Sequence, residues 1–272
     1  MNRKTRLFLS NIEKRQFKMG LSFLAPDGIF QSIFNYRSTE SSELNLIEGR
    51  WIISDSLTGL QINLRYPRDA MRYYHGVESK INRVRARYTL TDFVQISPGD
   101  IVVDVGGYVG EFALSVSQDA KLVHVFEPDK SSYDALQNNV RLNNLDSIYC
   151  WNKLIWNKHT DVEFNAADDG SESSVLNPDA GGVIQTLVMS AIPLHEAVDF
   201  DVDFLKIDAE GSELKVIEGL GDLRPKKIAI DCTEVDANGD LPDTEVEEAI
   251  RSLGYVTKSV EYGPMVFGKL RN

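Results

Sequence analysis

The chain of 272 residues is poor in the residue types that build several kinds of site. It has two cysteines, Cys150 and Cys232, far apart and each inside a run that reads as a strand. That spacing suits two buried thiols in a reducing compartment, not a disulfide framework. The four histidines, His75, His124, His159 and His195, stand isolated, and no Cys and His spacing of a metal-binding kind occurs. No apolar run approaches the roughly 20 residues that span a bilayer. Residues 1–20 are basic and amphiphilic but lack the continuous apolar core of a secretory signal. These absences predict a cytoplasmic chain with no transmembrane segment. There is no internal repeat and no low-complexity tract. With 42% hydrophobic residues, the chain can fill one large core, or one core with a small appendage.

Charge is abundant but unevenly placed. Residues 1–90 carry 15 Lys and Arg against 8 Asp and Glu, while residues 91–272 carry 14 against 33. An acidic main domain argues against nucleic acid as a partner. The basic forepart suits an anionic partner, such as a phosphorylated substrate or peripheral contact with an anionic membrane surface. It equally suits packing against the acidic main domain or against a second subunit, as in a homodimer.

Residues 1–45 read as irregular or weakly helical, with aromatics scattered among polar residues. Residues 49–64 form two apolar stretches around Asp55-Ser56-Leu57-Thr58-Gly59, the pattern of a β-hairpin. A helix is expected over 81–93, so residues 1–80 are an N-terminal extension and 81–272 the main domain. From Pro98-Gly99-Asp100 onward strands and helices alternate. Strands are expected at Ile101–Val105, Leu122–Phe126, Ile148–Trp151, Phe204–Ile207 and 228–232. Each is a short apolar run bounded by turn residues, as in a parallel sheet buried on both faces. Helices are expected at 111–118, 131–143 with Ser131 as its cap, Glu213–Glu218 ending at Gly219, and 244–253. Residues 157–190 suggest short strands separated by an active-site loop. Two last strands, Tyr255–Val260 and 265–269, make a terminal hairpin that predicts an antiparallel edge strand. The fold class is α/β, a doubly wound, mostly parallel sheet.

The first strand ends in Asp104-Val105-Gly106-Gly107-Tyr108-Val109-Gly110-Glu111, an acid followed by a glycine-rich turn that opens a helix. In such sheets ligands sit at the carboxyl ends of the strands. Gly106 and Gly110 would let the backbone approach a ligand without a Cβ in the way. The turn is not the dinucleotide fingerprint. The third glycine of that pattern would fall at Glu111, whose charge would repel a pyrophosphate. Glu127, in Phe126-Glu127-Pro128, ends the second strand 21 residues after Gly106. An acid at that spacing can hold the two hydroxyls of a ribose. Either acid alone reads equally well as an N-cap; the pair favours a nucleoside without phosphate. A nucleotide-dependent oxidoreductase and a non-catalytic cofactor-binding module are the alternatives.

With those two segments, Phe204-Leu205-Lys206-Ile207-Asp208-Ala209-Glu210-Gly211-Ser212-Glu213 resembles the FkbM family of S-adenosylmethionine-dependent methyltransferases. The resemblance runs from about Gly49 to the C-terminus and is most specific over the Lys-Ile-Asp-Ala-Glu-Gly run. It implies a Rossmann-like class I methyltransferase with a seven-stranded sheet, acting as an O-methyltransferase on a sugar, glycan or related small molecule. It implies that Asp104, Gly106, Gly107, Tyr108 and Gly110 line the methionine part of S-adenosyl-L-methionine. Glu127 with Pro128 would hold the ribose, and Asn152 and Lys153 would lie near the adenine. Ser171–Ser174 resembles a serine-rich loop near the family's site. Two departures stand out: Ile192-Pro193 replaces a common Leu-Asp pair, and the fifth strand ends in Asp231-Cys232-Thr233-Glu234 where Glu is usual.

An alcohol must lose its proton as its oxygen takes a methyl group. Asp208 ends a buried strand on the ligand side and is the candidate general base or ligand-positioning acid. Glu210 follows in the turn, as a second catalytic candidate or as an acceptor for the turn's amides. Lys206 shares a face with Asp208 by strand alternation and is a candidate ion-pair partner. Asp208 with Asp231 or Glu234 is the one pairing that would suit a divalent metal, a reading the sequence does not favour.

Overall fold

The computed structural model describes residues 26–38, 41–167, 183–232, 242–260 and 264–271. Internal contacts divide the chain into two compact units, Met1–Lys80 and Ile81–Asn272.

In the first unit, helix α1 (Asp27–Arg37) precedes three antiparallel strands, β1 (Ser42–Ile47), β2 (Arg50–Asp55) and β3 (Gln61–Leu64). Residues Glu48 and Gly49 join β1 to β2, with φ of 48° and 76°. Two positive φ angles in a two-residue turn match the twist of the flanking strands. The Asp55 carboxylate accepts from the amides of Leu57 and Thr58 and shapes the next turn. A 3₁₀ helix, Pro67–Tyr73, follows. Phe30, Phe34, Leu44, Ile53 and Ile62 are fully buried and form this unit's core. The expected hairpin is therefore two strands of a three-stranded sheet. α1 falls where irregular or weakly helical chain was expected, whereas β1 was not expected, because it buries only Ser42 and Leu44 and gives a weak alternating signal.

Helix α2 (Val77–Arg87) starts four residues before the predicted one and crosses the boundary between the units. The second unit then runs through β4 (Ile101–Val105), α3 (Glu111–Val116), β5 (Leu122–Phe126), α4 (Lys130–Leu142) and β6 (Ile148–Trp151). Next come β7 (Leu154–Trp156), β8 (Thr160–Ala167), β9 (Val183–Pro193) and the single turn α5 (Leu194–Ala197). Last are β10 (Phe204–Ile207), α6 (Glu213–Glu218), β11 (Lys227–Asp231), α7 (Asp243–Ser252), β12 (Tyr255–Val260) and β13 (Met265–Leu270).

Seven strands form the main sheet in the order β12-β13-β11-β10-β4-β5-β6. β11, β10, β4, β5 and β6 are parallel, and β13 runs antiparallel to both its neighbours. The doubly wound, mostly parallel seven-stranded architecture is as expected. One detail is corrected: the antiparallel strand is not the edge, since β13 inserts between β11 and β12. A second correction concerns α4, whose cap is Asp129, accepting from the Ser132 amide, and not Ser131. A third concerns the stretch after β6, where β7, β9 and β8 form a separate three-stranded sheet. Little more than the four residues of α5 is helical in that crossover.

Strand alternation sends side chains into two apolar layers. Val103, Val105, Leu205, Ile207, Ile228 and Ile230 pack with Val216 of α6 and Val246 and Ile250 of α7. Val102, Val123, Val125, Phe204 and Ala229 pack on the opposite face with Phe112 of α3 and Leu136 of α4. Both faces are covered, which is why the strands read as unbroken apolar runs. Both cysteines are free thiols; Cys232 is buried, but Cys150 is only partly so. Among the described residues no helix is long and apolar enough to cross a membrane.

Candidate active site

The carboxyl ends of β4, β10 and β11 lie side by side, and one face of this row is charged. Asp104 is the register partner of Lys206, and Lys206 that of Ala229, two residues before Asp231. Alternation therefore places Asp104, Lys206 and Asp231 on one face, with Asp208 just beyond β10.

Asp104 is fully buried and Lys206 is 3% exposed. The Lys206 ammonium donates to the Gly106 carbonyl at 2.5 Å. It lies 2.9 Å from Asp104 Oδ1 and 3.5 Å from Asp208 Oδ2. The contact with Asp104 Oδ1 is a close buried ion pair, and among the described residues Oδ2 takes no hydrogen bond. Burial raises the Asp104 pKa, and Lys206 pulls it back. Burial works against the Lys206 ammonium, but Asp104 and Asp208 outweigh it and hold its pKa above the usual lysine value.

The glycine turn is shaped by the protein's own close packing. A Cβ on Gly106 would stand 1.7 Å from the Asp208 carbonyl oxygen, and φ there is +79°. A Cβ on Gly107 would stand 2.0 Å from Val125 Cγ1 and 3.7 Å from Asp104 Oδ2. At Gly110, with φ +91°, it would stand 2.6 Å from Leu136 Cδ1. Room for a ligand was the expected reason for glycine at 106 and 110. The structure adds a second reason: the tips of β4 and β10 touch at the first, and α4 packs on the turn at the second.

Glu127 is buried at the end of β5 and accepts two amides, Tyr108 at 2.7 Å and Asp129 at 2.8 Å. Tyr108 reaches it from a left-handed backbone, φ 49°. Burial, with Asp129 nearby, pushes the Glu127 pKa up to about 8 against the pull of the two amides. Asn152 donates to the carbonyls of Glu127 and Pro128 at 2.9 and 2.8 Å, tying the end of β6 to the end of β5. Lys153 is exposed beside it.

Beyond β10, the turn carrying Asp208 and Glu210 is held by Glu213. Its Oε1 accepts from the amides of Ala209 and Gly211 at 3.0 and 3.1 Å. Glu210, in a left-handed conformation with φ 47°, is partly exposed. Burial raises the Glu213 pKa to about 7. Glu213, which lies inside the quoted motif, thus holds two amides of this turn.

Two further residues complete the row. The Tyr88 hydroxyl donates to Asp208 Oδ2 at 2.6 Å and lies 3.4 Å from Asp231 Oδ2. Arg87 Nε donates to Asp231 Oδ2 at 2.6 Å. Neither Tyr88 nor Arg87 carries a sequence signal, since each meets its carboxylate from more than a hundred residues away. Among the described residues no group of three His, Cys, Asp or Glu side chains could hold a metal ion. Asp208 and Asp231, the pair considered for one, both face the Tyr88 hydroxyl. Glu234 and Ser171–Ser174 lie outside the described residues.

A curated protein from Streptococcus mutans serotype c, named an uncharacterized RNA methyltransferase, is 28% identical over 151 residues. The alignment covers 53% of this chain and 31% of that protein, so the chain spans about a third of the relative it matches. Among solved structures, methyltransferase FkbM from Methylobacillus flagellatus KT is 16% identical with a TM-score of 0.49. It covers 70% of this chain and 50% of that one. A Pyrococcus abyssi tRNA (uracil-54, C5)-methyltransferase in complex with S-adenosyl-L-homocysteine is 13% identical with a TM-score of 0.45. It covers 81% of this chain and 44% of that one. Neither likeness says anything about the substrate of this chain. The family profile described as the methyltransferase FkbM domain matches residues 104–257, from the first acid of the site to β12 and across more than half of the chain. The chain therefore belongs to the FkbM methyltransferase family, on a Rossmann-like fold.

Proposed function

We propose that this protein binds S-adenosyl-L-methionine across the tips of β4, β5 and β6. It transfers the methyl group to a hydroxyl of a sugar, glycan or related small molecule. The observation that carries the reading is the pair Asp104 and Glu127, on neighbouring strands and joined by the glycine turn through Tyr108. Among the described residues Asp104 Oδ2 is buried without a hydrogen bond, a costly state that a donor would relieve. Each Glu127 oxygen accepts one amide and has a second lone pair for a ribose hydroxyl. In this reading Asp104, Gly106, Gly107, Tyr108 and Gly110 hold the methionine end. Glu127 and Pro128 hold the ribose, and Asn152 and Lys153 border the adenine.

When bound, the cofactor supplies a methyl carbon already activated by its sulfonium. The chain's own residues align the acceptor and take its proton. Asp208 accepts that proton at the mouth of the row, and Glu210 borders the acceptor from the same turn. Lys206 fixes Asp104, Gly106 and Asp208 relative to one another. Alignment of reacting groups is worth about 7–11 kcal/mol of barrier, and a placed base about 10²–10⁴-fold in rate.

The surplus of acid in residues 91–272 favours a neutral or cationic acceptor over a nucleic acid, whose phosphates it would repel. A cytoplasmic setting, and a basic forepart that meets an anionic surface or a second copy of the chain, complete the reading. Calorimetry with S-adenosylmethionine and with NAD separates it from an oxidoreductase. Transfer of a labelled methyl group into the carbohydrate fraction of a cell extract then tests the reaction. Tight binding of NAD, or a label found only in RNA, would refute it.

A further inference from the structure

Resting on that reading, we infer that Tyr88 is the positioning residue for the base, fixing one oxygen of Asp208 so that the other faces the acceptor. The Tyr88 hydroxyl has a single proton and two carboxylates within reach, Asp208 Oδ2 at 2.6 Å and Asp231 Oδ2 at 3.4 Å. Arg87 settles the competition. Its guanidinium holds Asp231 Oδ2 through both Nε and a terminal nitrogen, so the Tyr88 proton goes to Asp208. The ring is 4% exposed, edge-on to Phe112 at 5.3 Å, with the Lys206 ammonium 5.0 Å from its centroid. Burial first, and then the two carboxylates, push the phenol's pKa well above the ordinary value, so it remains a donor throughout the working range of pH.

Asp208 Oδ2 is thus fixed by Tyr88, with Lys206 3.5 Å away. Oδ1 takes no hydrogen bond among the described residues, and the side chain keeps 27% of its surface open. A carboxylate free to turn about its Cβ–Cγ bond would exchange the two oxygens; Tyr88 prevents the exchange. During transfer the acceptor oxygen bonds to the methyl carbon. The carbon–sulfur bond breaks and leaves its electron pair on sulfur. The acceptor's proton passes to Asp208 Oδ1 and later to water. The proton of Tyr88 never leaves it.

The test uses the full chain, methyl-tritiated S-adenosylmethionine and the carbohydrate fraction of a cell extract, with S-adenosylhomocysteine affinity measured by calorimetry. Tyr88→Phe keeps the ring contacts and removes the donor. Its kcat should fall at least about 10-fold while affinity for S-adenosylhomocysteine stays within about twofold. p-Aminophenylalanine at position 88, which restores a donor, should recover most of the rate. In an Asp208→Asn background, Tyr88→Phe should add no further loss, because it acts through that carboxylate. Unchanged kcat in Tyr88→Phe, or a full additional loss in the Asp208→Asn background, overturns the inference. If Tyr88→Phe does not fold, p-aminophenylalanine against p-methylphenylalanine makes the same comparison, and equal rates overturn it. Wild-type protein that transfers no label refutes the proposed function and this inference with it. A normal Tyr88→Phe beside an inactive Asp208→Asn refutes this inference alone.

Discussion

Lys206 and Asp104 are register partners on adjacent parallel strands, and their charged ends meet at 2.9 Å inside the sheet. Neither charge is tolerable there alone. Lys206→Met should lower stability by about 3–5 kcal/mol at pH 8, as expected when one partner of a buried pair is removed. Burial already raises the Asp104 pKa and Lys206 is what lowers it. Without the ammonium, Asp104 takes up a proton on folding, so the loss should be smaller at pH 5. Urea unfolding at both pH values checks this, and an equal loss at each would contradict it.

Glu127 gives the site a pH dependence of definite sign. Burial raises its folded pKa to about 8, well above the ordinary carboxylate range. The folded protein therefore holds a proton that the unfolded chain has lost. The stability this contributes is fully present below the unfolded value and disappears as pH rises toward 8. A ribose diol donates best to the ionised form, so affinity for S-adenosylmethionine should increase over the same interval. Glu127→Gln should flatten both profiles and weaken binding, as read by calorimetry and thermal melts from pH 5 to 9.

Gly106 and Gly49 separate two costs of replacing glycine. Both have positive φ, but nothing lies within 4 Å of a Cβ on Gly49, whereas one on Gly106 would collide with the Asp208 carbonyl. Gly49→Ala should cost about 1–2 kcal/mol, the backbone term alone. Gly106→Ala must also push the tips of β4 and β10 apart, and should cost more and abolish cofactor binding. Equal shifts in melting temperature would show that the contact is not obligatory.

Glu213→Ala leaves the Ala209 and Gly211 amides without their acceptor. The expected loss is about 1–3 kcal/mol. Methyl transfer should suffer more than stability, because the loosened turn carries Asp208 and Glu210. Parallel measurement of unfolding and of kcat decides.

Much of this architecture could be read from the residues in order. β4, β5, β6, β10, β12 and α6 have the predicted bounds, and the interior strands β4 and β10, buried on both faces, are apolar runs with turn residues at their ends. Neighbour relations were harder. The terminal hairpin was placed with its antiparallel strand at the edge, yet burial reverses the order. Met265 to Gly268 are all buried, whereas β12 buries only Tyr255. A continuous buried run marks an interior strand, and that signal was present in the sequence. The carboxylates of the candidate site are legible because they end strands. Tyr88 and Arg87 are not, since no local pattern tells which distant acid a helix end will meet. Ser131 is the more familiar capping residue, but Asp129 two positions earlier caps α4.

The position of β13 also bears on how the molecule is made. Among the described strands β12 pairs only with β13, which is synthesised after both β11 and β12. Until then β11 offers an open hydrogen-bonding edge and β12 has nothing to join. A nascent chain halted before Met265 would carry an unsatisfied strand border able to recruit a neighbouring polypeptide. Closure of that border, and with it protection from aggregation, waits for β13.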